Sequence, residues 1–161
     1  MMVHADPYPG SETEPAAIFR LAEEYRHAAK ALSKLARPGA PETLAPFRLA
    51  AIHAIELYLN AWLLMDGIAP SVVRGLQHDL AKRAEWALHS KLTLRIKTAR
   101  HLVALSVQRD YLVSRYAPEL LSTLTQRNRL EATLEEVARK VARRCAPEAK
   151  SNVALRLFGA L

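Results

Sequence analysis

Apolar residues recur at helical spacing along the first part of the chain. Ser11 lies three residues before Glu14, as in a capping box, and Pro15 follows at a position suited to the first turn of a helix. Apolar side chains then repeat in steps of three and four residues, at Ile18, Leu21, Tyr25, Ala28, Leu32 and Leu35. This spacing predicts a long amphipathic helix that ends at Arg37-Pro38-Gly39. Its apolar stripe is expected to pack against the rest of the domain or against a second copy of the chain.

The next segments predict two further helices. The first begins at Pro46, runs to Asp66-Gly67 and is apolar nearly all round, so we expect it to be the most buried helix. The next helix begins near His78-Asp79, where Asp79 can cap its first turn.

Two more helices are predicted over about residues 92–113 and 127–144. The last of them carries its own apolar stripe, at Leu130, Leu134, Val137, Val141 and Cys145. Strand signals are absent, and only 5 of the 161 residues are Gly. The pattern predicts an all-α, up-and-down bundle of four to five helices in a single domain.

Three regions follow from this pattern. We expect a flexible lead over residues 1–12, the helical bundle over residues 13–146, and a docked C-terminal tail over residues 147–161.

No apolar run approaches the ~18 residues that span a bilayer, and the N-terminus does not have the pattern of a signal peptide. The single Cys145 suits a reducing compartment. These features predict a cytoplasmic protein without a membrane segment.

Positive charge is concentrated in the second half of the chain. Residues 1–90 carry 9 Lys/Arg and 10 Asp/Glu, whereas residues 91–161 carry 14 and 6, and the formal net charge is +7. The basic residues considered for nucleic-acid binding are Lys91, Arg95, Lys97 and Arg100 on the fourth predicted helix. No aromatic residues lie among them, so binding would be led by phosphate contacts. A merely solvated, Arg-rich surface is the alternative interpretation.

Polar residues are few on the second predicted helix, and three of them share one face: His53, Glu56 and Asn60. Buried polar groups need hydrogen-bond partners, so a structural network that reaches His78 or Asp79 is expected. A metal site is the alternative, but no other helix offers a matching pair of ligands. The chain also lacks a nucleophile elbow, a Walker loop and a dinucleotide fingerprint. We therefore predict no metal and no cofactor.

The same segment resembles the HEPN family. Members often contain His-x-x-Glu-x-x-Leu-x-Ala on a helix, then a glycine-containing connection and a His-Asp-Leu that opens the next helix. The matching positions are His53, Glu56, Leu59, Ala61, Gly75 and His78-Asp79-Leu80. Arg115-Tyr116-Ala117-Pro118 is similar to a later Arg-Tyr-Pro, with Ala117 inserted, and the resemblance covers about residues 15–118. It implies a bundle of four to five helices, usually dimeric, linked to RNA or nucleotide transactions and often working beside a nucleotidyltransferase.

Active HEPN ribonucleases carry Arg-x(4–6)-His near a dimer cleft, where the Arg steadies the scissile phosphate and the His moves a proton. Four pairs have this spacing here, and only Arg95/His101 lies on the fourth predicted helix. Active members usually have a polar residue after the Arg, and here that residue is Ile96. A non-catalytic branch is therefore expected. The alternative is a metal-independent endoribonuclease, which requires Arg95 and His101 to be exposed and to converge on a groove.

The leading hypothesis is a homodimeric HEPN-like module that binds nucleic acid or a partner protein. Its polar signature comprises Arg48, His53, Glu56, His78 and Asp79, and we expect the role of these residues to be mainly structural.

Overall fold

A computed structural model describes the backbone of residues 7–158 and the side chains of residues 7–146. The helices are α1 (Pro15–Ser33), α2 (Ala45–Met65), α3 (Pro70–Gly75), α4 (Leu80–His89), α5 (Ile96–Val107), α6 (Asp110–Tyr116) and α7 (Arg127–Phe158). Short 3-10 helices cover Pro41–Leu44 and Pro118–Thr123, and the described part of the chain contains no β-strand. The all-α prediction is confirmed. The predicted count of four to five helices is only approximate, since the described residues form seven α-helices and two short 3-10 helices.

Helix α2 lies at the centre of the bundle and contacts α1, α7, α6, α4 and α3. Apolar side chains point in all directions from it, because it has neighbours on nearly every side. Helix α7 packs along it with the predicted stripe, and all five residues of that stripe are buried.

Helix α1 packs with a different face from the one that its apolar spacing indicates. Its buried residues are Ala16, Phe19, Ala22, Ala29 and Ser33. Side chains as small as alanine allow two helix backbones to approach closely, and Phe19 fills the remaining space against Tyr58, with ring centroids 5.9 Å apart.

The predicted stripe of α1 therefore lies largely outside the core. Leu21, Tyr25 and Leu35 are 44%, 37% and 65% exposed. The helix also ends at Ser33, before the predicted end at residue 37. Ile18 and Leu32 of the predicted stripe are half-buried against the core. We call Leu21, Tyr25, Ala28, Leu32 and Leu35 the outer stripe.

The single helix predicted over residues 92–113 is wrong. Two helices occupy this stretch, because Arg109 adopts a left-handed conformation with φ 54° and breaks the chain direction between α5 and α6. The break lets α6 turn back and pack against α2.

Helix α7 is 32 residues long and continues through the region that we expected to form a separate docked tail. Residues 1–6 of the expected flexible lead, and residues 159–161, lie outside the described residues.

Near the far end of the bundle, the thiol of Cys145 is buried and its Sγ lies 3.1 Å from Sδ of Met65 on α2. No helix in the described part of the chain has both the length and the apolar character needed to cross a membrane.

Candidate functional site

A buried ion network of Glu56, His78, Arg83 and Asn60, here called the Glu56 network, joins α2 to the α3–α4 connection. Glu56 on α2 accepts from His78 Nδ1 at 3.2 Å and pairs with Arg83 Nη2 at 3.5 Å. Arg83 is 1% exposed and donates through Nε to Asn60 Oδ1 at 2.7 Å. Its other nitrogens point to the carbonyl oxygens of Leu76, Asp79 and Val73, each at 3.4 Å. A buried charge costs stability unless it is paired, and here both charges are paired.

His53 lies beside this network. Its ring meets Tyr25 of α1 edge to face, with centroids 4.5 Å apart, and its nitrogens make no hydrogen bond to any described residue. Burial lowers the pKa of His53 below its usual range and outweighs the opposing charge of Glu56, and the nearby charges of Arg115 and Arg83 act in the same direction as burial. The imidazole is therefore neutral near pH 7, with one nitrogen that donates and one that accepts.

The five residues of the polar signature do not form one site. Glu56 and His78 are in contact and His53 is adjacent to them, whereas Asp79 caps α4 by accepting from Lys82 N at 3.0 Å. Ser106 on α5 also donates to Asp79, at 3.2 Å.

Arg48 belongs to a second buried group, on the α6 side of α2. One guanidinium nitrogen donates to the carbonyl oxygen of Thr125, and Nη1 lies 3.8 Å from Asp110 Oδ2. Asp110 is fully buried, and among the described residues its carboxylate oxygens have no hydrogen-bond donor. Burial raises the pKa of Asp110 to about 6, although the charge of Arg48 opposes that change.

Arg95 and His101 do not converge on a groove. His101 is 5% exposed and its ring nitrogens bond to Thr133 Oγ1 at 2.7 Å and Thr125 Oγ1 at 3.0 Å. Burial, together with the charges of Arg129 and Arg48, lowers the pKa of His101 to about 4. The exposed pair that the ribonuclease alternative requires is therefore absent.

Arg95 is instead held by Glu136 of α7. The Glu136 carboxylate accepts from Arg95 N at 2.7 Å, from Arg95 Nε at 2.8 Å and from the Thr98 hydroxyl at 2.5 Å. Burial would raise the pKa of Glu136, but these hydrogen bonds outweigh it and lower the pKa to about 2. No local spacing indicates this pairing, because the two residues lie 41 positions apart.

The other basic candidates, Lys91, Lys97 and Arg100, are exposed. Lys140 Nζ lies 3.4 Å from Thr93 Oγ1, which brings the basic residues of α7 next to the segment that leads into α5. We call the following residues the basic surface: Lys91, Lys97, Arg100, Arg139, Lys140 and Arg143. None of them forms an ion pair with a described acidic residue, whereas Arg144 pairs with Asp66 at 3.4 Å.

A cleft of about 840 Å³ opens over the Glu56 network. The segment before α1 forms one wall, and α3 with its connection to α4 forms the other.

Among the described residues there is no group of three or more His, Cys, Asp or Glu placed to hold a metal ion. Comparison of the chain with family models, with curated proteins and with solved structures finds no match.

Proposed function

We propose that the chain is a HEPN-like helical module that binds nucleic acid through its phosphates, without cutting it. The observation that carries the proposal is the basic surface, where six Lys and Arg side chains have no acidic partner among the described residues. Cations without acidic partners attract a polyanion, and each phosphate contact releases counterions.

One further feature supports a binding role rather than a catalytic one, and a second supports the HEPN-like part of the proposal. The Arg95/His101 pair at the start of α5 has structural contacts, since Arg95 is held by Glu136 and His101 lies in the core. The HEPN-like His78-Asp79-Leu80 opens α4 as its motif implies, with Asp79 as the N-cap residue.

Retention of a labelled, mixed-sequence RNA over a salt series tests this function. Replacing two exposed cations, as in Lys97→Glu with Arg100→Glu, should weaken binding at least about tenfold and reduce the salt slope by about two. The matched control is Arg37→Glu with Lys82→Glu, which changes the charge equally on exposed positions elsewhere. Equal retention by both variants would refute the nucleic-acid role and leave an acidic partner protein, such as a nucleotidyltransferase, for this surface. Cleavage of the RNA by the pure protein would refute the non-catalytic role.

We also infer that the chain forms a homodimer through the outer stripe of α1. The stripe repeats in steps of three and four residues, which is the period of helices that pair side by side. An antiparallel pairing places Leu21 against Leu32 of the other copy and Tyr25 against Ala28.

Sedimentation of the purified protein over a range of concentrations tests the dimer. Leu21→Glu with Leu35→Glu should give a folded monomer, because a charge at each site cannot be buried in an apolar interface. Val107→Glu is the control, since Val107 is 76% exposed on α5 and lies outside the stripe. A wild-type chain that is monomeric at all concentrations would exclude this interface.

A further inference from the structure

The cleft over the Glu56 network has the chemistry of a ligand site, and neither the basic surface nor the outer stripe explains it. Its floor consists of paired, buried charges, whereas its walls carry polar side chains that make no hydrogen bond to a described residue. Those groups are His53, Ser71 and Gln77, and none of them forms a hydrogen bond through its side chain to a described residue. A volume of about 840 Å³ suits a small organic molecule.

The charge of the cleft favours an anion. Glu56 is the single acidic residue among those that line it, and Arg83 already neutralises it. Arg74 also lines the cleft, and its guanidinium makes no ion pair with any described residue. The cleft therefore carries surplus positive charge.

Arg74 is held in place without using its N–H groups. Its Cζ atom lies 4.1 Å from the ring centroid of Tyr8, in the segment before α1. Stacking on an aromatic ring restrains a guanidinium and leaves its edge available for two parallel hydrogen bonds to a phosphate or carboxylate.

We propose that this cleft binds a small organic anion, with its phosphate or carboxylate on Arg74 and its uncharged part towards His53. The neutral imidazole of His53 offers one donor and one acceptor to that part. Ile18 lines the α1 side of the cleft, and Tyr25 packs edge to face against the His53 ring. The site is separate from the basic surface, so a small anion and a nucleic acid would use different residues.

The test follows the imidazole signals of His53 by NMR while the full chain is titrated with four probes. Adenosine monophosphate and glucose 6-phosphate carry a phosphate, citrate carries carboxylates, and adenosine carries no anion. We expect at least one anion to shift the His53 signals with saturation and to raise the apparent pKa of His53, and adenosine to leave both unchanged. Comparing the two phosphate probes with citrate then shows whether the cleft prefers a phosphate or a carboxylate.

Arg74→Gln should weaken binding of the effective anion at least about tenfold, because it removes a charge-assisted pair of hydrogen bonds. Lys82→Gln is the matched control, since it removes an exposed cation that does not line the cleft. Arg74 is exposed, so its replacement leaves the core intact. The Lys97→Glu with Arg100→Glu variant should bind the anion normally, which separates this inference from the nucleic-acid proposal. Absence of a saturable shift with every anion, or equal binding by Arg74→Gln, would overturn the inference.

Discussion

Helices α1 and α7 both carry a clear apolar stripe, but only the stripe of α7 enters the core. On α7, Leu130, Val137 and Val141 are fully buried against the rest of the bundle. On α1, the residues that pack inwards are mostly alanine, and the larger Leu21, Tyr25 and Leu35 face outwards. The two helices have similar sequence patterns and different surroundings.

The difference shows that helical spacing identifies an apolar face without identifying what covers it. In α7 the large side chains fill the space beside α2. In α1 that space is closed by Phe19 and by the close approach that Ala22 and Ala29 allow, so the larger side chains are left for another surface. A face that is apolar, periodic and exposed is typical of an interface between chains.

The largest expected effect comes from opening a cavity under α7. Leu130→Ala should lower the free energy of unfolding by about 3 kcal/mol, because the side chain is fully buried and the cavity cannot collapse completely. Urea unfolding followed by circular dichroism measures this loss. Leu35→Ala on the outer stripe is the control and should change the value by less than about 0.5 kcal/mol. Similar losses in the two variants would contradict the comparison.

Replacing a buried acidic residue of α7 should destabilise the chain, whereas replacing an exposed acidic residue of α1 should not. Glu136→Gln on α7 should cost about 3 kcal/mol at pH 7, because the ionised carboxylate holds Arg95 and Thr98. Its lowered pKa means that this contribution is present above pH ~4.5 and is lost as the pH falls towards about 2. Urea unfolding at pH 7 and at pH 3.5 measures both effects. Glu24→Gln on α1 should have almost no effect at either pH, and a large effect there would contradict this prediction.

The small residues on the inner face of α1 give a third test. Ala22→Leu should cost about 2 kcal/mol, because Ala22 is fully buried where α1 approaches α2 and a larger side chain forces the two helices apart. Ala28→Leu adds the same atoms to the outer stripe and should not destabilise the chain. Thermal unfolding compares the two variants, and equal melting temperatures would mean that the helix is rotated relative to the described packing.

The smallest effect on the folded chain should come from the outer stripe itself. Leu21→Ser should change the stability of the monomer by less than about 0.5 kcal/mol, but the Tm should no longer rise with protein concentration as it does for a dimer. Differential scanning calorimetry at several concentrations detects this. If the Tm of the wild-type chain is independent of concentration, the outer stripe does not form a dimer interface.

The sequence predicts the helical class, the central position of α2 and the buried stripe of α7, because each depends on a periodicity that the local chain carries. It does not predict the break at Arg109, where neither Gly nor Pro marks the left-handed residue. The packing of α6 against α2 stabilises that conformation, and such a contact between distant segments is invisible in the local pattern.

The candidate site was predictable only in part. The shared face of Glu56 and Asn60 on an apolar helix signals that buried partners are needed, but Arg83 could not be singled out as that partner among 23 Lys and Arg residues. The Arg95/His101 spacing gives no indication that His101 points into the core, since helix rotation is set by the neighbouring helices. The cleft also depends on where the segment before α1 lies, which no spacing rule predicts.

The burial of Cys145 against Met65 has a practical consequence. A thiol enclosed between α2 and α7 reacts with an alkylating reagent only when the two helices separate there, so its labelling rate reports the free energy of that opening. Because the chain has one cysteine, the signal needs no engineered variant. The chain therefore carries its own probe of how often the bundle opens beside Cys145, in the presence or absence of a bound partner.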